Sequence, residues 1–134
     1  MFRFIQTSLL FFILTCAAHA EVTVQDVWIY LFRKEVLALD ECVREEFLKL
    51  YVAYKAETNF VDVVPQVKRL RLSLNMEFTE VDDPRGMCRD VTKMKGWGNG
   101  CVEVGLENEE DLQYVIGLVR QALERQLGED EVEE

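Results

Sequence analysis

Few side chains in this 134-residue chain are suited to chemistry, and the scarcest is histidine: His19 stands alone. Histidine is the usual proton carrier and nucleophile activator at neutral pH, and a common metal ligand. A chain that loses His19 cannot run a Ser-His, Cys-His or histidine-metal mechanism. Residues 1–20 read Met-Phe-Arg, an apolar stretch from Ser8 to Cys16, then Ala17-Ala18-His19-Ala20. A basic start, a short hydrophobic segment and an Ala-x-Ala exit predict a secretory signal peptide cut after Ala20, taking His19 with it. The apolar run is short for a bilayer span. Thr15 fits poorly before Cys16 as a lipid-acceptor site. The expected location is therefore the periplasm or the exterior, with the membrane met only through the export signal.

The remaining reactive residues form no recognisable constellation. Asp62, Asp90 and Glu103 would be the carboxylates of a metal-dependent hydrolase or nuclease, yet nothing in their spacing brings them together. The chain has no phosphate-binding P-loop, dinucleotide fingerprint or nucleophile elbow. We expect no enzyme, no cofactor and no metal. Behind the leader lie Cys42, Cys88 and Cys101, whose spacings match no Cys-x-x-Cys pattern. An exported protein could bridge Cys88 to Cys101 across neighbouring strands; the alternative is cysteines packed singly as small apolar residues.

Binding residues are easier to nominate. In Gly96-Trp97-Gly98-Asn99-Gly100 the glycines let a ligand approach the backbone and the indole offers a stacking face, which makes Trp97 and Asn99 candidate contacts. The alternative is a hairpin connection whose tryptophan folds onto the core. Lys68, Arg69, Arg71, Arg85, Arg89, Lys93 and Lys95 make the middle of the chain basic, and Lys68 and Arg71 are the candidate ligand contacts among them. Such a face could meet a protein or a nucleic acid, unless it is an ordinary solvated face offset by Glu77, Glu80 and Glu103. Against strong nonspecific phosphate binding stands the formal net charge of −10.

The elements that must position these residues follow from periodicity. Val27, Trp28, Leu31, Phe32 and Val36 predict a helix over 24–39. Val43, Phe47, Leu50, Tyr51 and Tyr54 predict a second, before Thr58-Asn59. Residues 60–64 form a short β-branched strand ended by Pro65. Leu70, Leu72, Leu74, Met76 and Phe78 alternate with polar residues, so that strand has one buried and one wet face. Further strands are expected near 88–91 and over 101–106. Asn108 caps a last helix whose buried stripe is Leu112, Val115, Ile116, Val119, Ala122 and Leu123, ending at Leu127-Gly128. Residues 128–134, five of them acidic, are expected to be a disordered tail. The predicted fold is α+β: one domain over 21–127, with a four-stranded antiparallel meander and helices, two before it and one after, covering one face.

Several stretches together resemble a known family. They are Phe47–Lys55, Thr58–Gln66, Lys68–Met76, Asp83-Pro84-Arg85-Gly86, Cys88–Val91, Trp97-Gly98-Asn99-Gly100, Val102-Glu103-Val104 and Tyr114–Ala122. In this order they resemble the family labelled domain of unknown function 5655, across roughly residues 25–127. The resemblance implies a module usually carried at the C-terminal end of larger bacterial proteins, some labelled predicted transport proteins and some containing a nuclease-like domain. It implies a cytoplasmic setting, at odds with the export signal, and an acidic residue where this chain has Cys101. The functional expectation is a noncatalytic binding or accessory module; the alternative is a metal-dependent hydrolase or a nuclease-associated accessory protein.

Overall fold

A computed structural model describes residues 23–94 and 100–132. Helix α1 (Val24–Leu37) opens with a capping box, in which Thr23 and Asp26 satisfy each other's otherwise orphaned backbone donors. Strands β1 (Arg44–Phe47), β2 (Val52–Lys55), β3 (Asn59–Pro65) and β4 (Leu70–Leu74) follow as consecutive antiparallel neighbours. The chain then passes a 3₁₀ turn at Phe78–Glu80 and a long loop to β5 (Arg89–Asp90) and β6 (Val102–Leu106). A second 3₁₀ turn leads into helix α2 (Leu112–Val132).

The expected four-stranded meander is thus a six-stranded antiparallel sheet of order β1-β2-β3-β4-β6-β5. β6 pairs with β4 and pushes the two-residue β5 to the edge. The alternation of the third expected strand was too short to show that it is only an edge ladder. The larger correction concerns residues 40–57, which form the β1–β2 hairpin and not a second helix. In the helical reading Phe47 and Leu50 would share a buried stripe with Val43 and Tyr54. They are instead 69% and 64% exposed. Local chemistry favours the hairpin: Asp40 accepts the Cys42 amide across an Asx turn, and the Leu48 amide donates to the Tyr51 carbonyl at the tip.

Period two governs the centre of the sheet. Leu70, Leu72 and Leu74 of β4, Val102, Val104 and Leu106 of β6, and Val61 and Val63 of β3 form one buried cluster with the helices. From α2 come Leu112, Val115, Ile116, Val119, Ala122 and Leu123; from α1 come Phe32 and Val36. Both helices therefore cover the same face, as expected. α1 is strapped to the hairpin by a polar knot, because Arg33 Nε meets both Glu45 carboxylate oxygens at 2.9 Å and the Tyr54 hydroxyl donates to the same carboxylate at 2.9 Å. α2 continues past Gly128 to Val132. A glycine stops a helix by entering the left-handed region, and among the described residues only Gly86 does so, at φ 64°.

Candidate functional site

The face of the sheet opposite the two described helices carries the polar positions of the central strands. Alternation places Arg71 and Ser73 of β4 opposite the buried leucines, and the register sets Ser73 between Asp62 of β3 and Glu103 of β6. Two acids are buried among the described residues, Asp62 at 2% exposure and Glu103 at 9%. Asn59 Nδ2 donates to Asp62 Oδ1 at 2.9 Å. Glu103 sits between two guanidinium groups: Arg69 Nη2 approaches one carboxylate oxygen at 3.3 Å and Arg89 Nη2 donates to the other. Arg69 is held in turn by Gln66, which accepts from its Nε at 2.7 Å.

These residues edge a shallow cleft of about 110 Å³, lined by Arg71, Ser73, Arg89, Val91, Met94 and Glu103. Its polar wall offers guanidinium donors and a hydroxyl on rigid strands, and its other wall is apolar. That combination suits a small anionic or hydrogen-bond-accepting group attached to an apolar stem. Glu103 limits the net charge of the wall and fixes the Arg89 guanidinium against it.

Of the predicted ligand contacts, Arg71 lines this cleft. Lys68 stands exposed on the β3–β4 turn and is not part of the lining. Trp97 and Asn99 lie outside the described residues. Ser73 and Met94 escaped sequence reasoning; two residues from Arg71 on an alternating strand, Ser73 could have been found by period alone. The three carboxylates do not converge. Asp62 and Glu103 share the outer face two strands apart, whereas Asp90 pairs opposite Val102, whose side chain is in the core row. The Asp90 carboxylate closes a local turn, accepting from the Thr92 amide at 3.0 Å and from its hydroxyl at 2.5 Å. Among the described residues no three His, Cys, Asp or Glu side chains are grouped to hold a metal ion.

The expected Cys88–Cys101 bridge is absent: Cys42, Cys88 and Cys101 are free thiols. The reason is register. The Val91 amide donates to the Cys101 carbonyl at 2.8 Å, so Cys101 pairs three residues along from Cys88, about 10 Å at strand rise. Bridged cysteines need Cα atoms within about 7 Å. Cys88 is also chemically quiet, its thiol pushed up to about 12 by burial and by the neighbouring Asp83 carboxylate.

A second constellation fixes the loop between β4 and β5. The Tyr114 hydroxyl of α2 donates to Asp83 Oδ1 and accepts from the Arg85 amide at 3.0 Å, while Asp83 Oδ2 accepts from the Cys88 amide at 2.7 Å. The Arg85 guanidinium lies over the Tyr114 ring, 4.8 Å from its centre, and pairs with Asp111 at 2.9 Å. Gln121 bonds both the amide and the carbonyl of Asp82. The side chains of Asp83, Arg85, Tyr114 and Gln121 all find partners inside the loop or helix, which makes the cluster a clamp that delivers β5 to the sheet edge. At the other end of α2, Gln126 Nε2 donates to Thr58 Oγ1 and the Asn59 carbonyl, and Gln126 Oε1 is buried without a partner.

Residues 29–126 match the family described as a domain of unknown function (DUF5655). An "Uncharacterized protein" of Haemophilus influenzae (strain ATCC 51907 / DSM 11121 / KW20 / Rd) is 34% identical over 92 residues, 69% of this chain and 30% of that protein. The chain thus corresponds to less than a third of that relative's length. No solved structure matches.

Proposed function

Taking as premise that the chain belongs to the DUF5655 family, we propose that it is a noncatalytic binding module whose ligand surface is the cleft on the face of the sheet opposite the helices. The observation carrying this reading is the cleft where Arg71, Ser73 and Arg89 meet an apolar wall of Val91 and Met94. The ligand it fits is a carboxylate or phosphate group presented on a partner, with an apolar neighbour resting on Met94. A protein segment suits this better than a bare nucleic-acid backbone, because the formal net charge of −10 opposes long phosphate polymers. Export past residues 1–20 belongs to the same proposal and rests on the leader pattern alone; sequencing the N-terminus of the mature protein tests it.

Isothermal titration with inorganic phosphate and with a short acidic peptide tests the binding surface. Arg71→Gln and Arg89→Gln should each weaken binding about tenfold, as expected for loss of one charge-assisted contact. Unchanged affinity in both variants would remove the cleft from consideration.

A further inference from the structure

Independently of the cleft, four of the seven exposed large apolar side chains among the described residues gather at one end of the molecule, the other three being Val27, Phe78 and Met94. Val67 is 90% exposed, Phe47 69%, Leu50 64% and Leu48 39%. The register explains why they cluster. Phe47 pairs with Val52, Val52 with Val63, and Pro65 with Leu70. The β1–β2 turn (48–51) and the β3–β4 turn (66–69) therefore project from the same end of adjacent hairpins, about 10 Å apart at ordinary strand spacing. Each turn also carries a lysine beside its apolar residues, Lys49 between Leu48 and Leu50, and Lys68 after Val67. Both lysines are exposed, and neither enters an ion pair among the described residues.

Apolar side chains standing free on two loop tips, with cations one residue away, match a layer that is apolar within and anionic at its rim. We propose that these two turns dock the protein on an anionic phospholipid surface. Phe47, Leu50 and Val67 enter the boundary between headgroups and acyl chains, and Lys49 and Lys68 meet lipid phosphates. A second copy pairing edge to edge fits worse. In the fully overlapped two-fold antiparallel pairing of β1 with β1, Glu45 faces Glu46 of the other copy, setting like charges opposite. The chain's acidity does not preclude the contact. α2 begins beside the end of β6 and reaches Thr58 and Asn59 at the opposite end through Gln126. The last described residues, 129–132, therefore follow at the far end, about 20 Å of helix away from the turns and beyond the Debye length. Glu107, Glu109 and Glu110 follow β6 at the near end, which turns the contact toward the β1–β2 side.

The test is co-sedimentation of the full chain with phosphatidylcholine vesicles, with and without 30% phosphatidylglycerol, at about 0.1 M salt. The partition coefficient should be higher on anionic vesicles and fall about fivefold for each of Lys49→Gln and Lys68→Gln. It should fall at least tenfold for the pair Leu50→Ser/Val67→Ser, with the circular dichroism spectrum unchanged. Arg71→Gln, on the sheet face opposite the helices, should leave it unaltered, which separates this surface from the cleft. Equal sedimentation of the wild type and Leu50→Ser/Val67→Ser would overturn the proposal. So would indifference to phosphatidylglycerol, or no sedimentation at all, the result expected if the turns bind only an acidic protein.

Discussion

Gly100, the last residue of the glycine-rich loop, should be among the least replaceable positions in the domain. A Cβ built there would lie 2.2 Å from the Leu74 carbonyl oxygen, 2.6 Å from its carbon and 3.0 Å from its nitrogen. All three atoms are backbone at the end of β4, so no side chain can swing away. Restoring contact distance needs a displacement of about 1 Å where β6 joins β4, in the middle of the sheet. Overpacking of this kind costs about 3 kcal/mol when the obstacle cannot relax, or roughly 10–20 °C in melting temperature for a domain of this size. Urea unfolding of Gly100→Ala, followed by circular dichroism, measures this directly. Gly117→Ala is the internal control: it lies in the exposed interior of α2 with nothing within 4 Å of its Cβ, and should stabilise by about 0.8 kcal/mol. A Gly100→Ala variant within about 0.5 kcal/mol of wild type would refute the close approach, and with it the β4–β6 pairing that displaces β5.

Three further outcomes follow from the same structure. Tyr54→Phe should destabilise by about 1 kcal/mol, because the buried hydroxyl donates to the mostly buried Glu45 carboxylate; a neutral result in urea unfolding would mean that Arg33 alone satisfies that carboxylate. Burial pushes Asp83 upward, but hydrogen bonds from the Tyr114 hydroxyl and the Cys88 and Met87 amides outweigh it and hold the carboxyl below its ordinary 3.8. A carboxyl lowered on folding stabilises fully above its unfolded value and loses that contribution as pH falls through the folded one. Acid titration should therefore show a loss of stability below about pH 4 that Asp83→Asn reduces; identical acid limbs would contradict the clamp. With its thiol pushed up to about 12, Cys88 should be the slowest cysteine to react with a thiol-specific reagent at pH 8, as peptide mapping would show. Cys88 labelling first would contradict its burial beside Asp83.

The parts of the fold visible in the sequence were those in which one periodicity had no competitor. Leu70, Leu72 and Leu74 alternate so strictly that only a half-buried strand can hold them, and the stripe from Leu112 to Leu123 fits only a helix. Residues 40–57 were ambiguous because Val43, Phe47, Leu50 and Tyr54 satisfy helical spacing while the partners that decide otherwise are distant in sequence. Glu45 is fixed by Arg33 on α1, and β2 is templated by β3. The hairpin also lacks the Asn-Gly or Asp-Gly signature that would announce it. The insertion of β6 between β4 and β5 is a long-range choice that no local pattern encodes. In the cleft, Arg71 was accessible through alternation, whereas Met94 and Arg89 join it only because β5 lies at the sheet edge. The expected disulfide failed for the same reason, since register and not proximity in sequence sets which residues face each other.

Ligand binding on the sheet face opposite the helices can be read out by mapping backbone amide shifts during titration with an acidic peptide. Saturable shifts are expected at Arg71, Ser73, Arg89 and Glu103, with the amides of α2 unmoved. Shifts confined to α2 or to the Tyr114–Asp83 clamp, with those four residues silent, would contradict it.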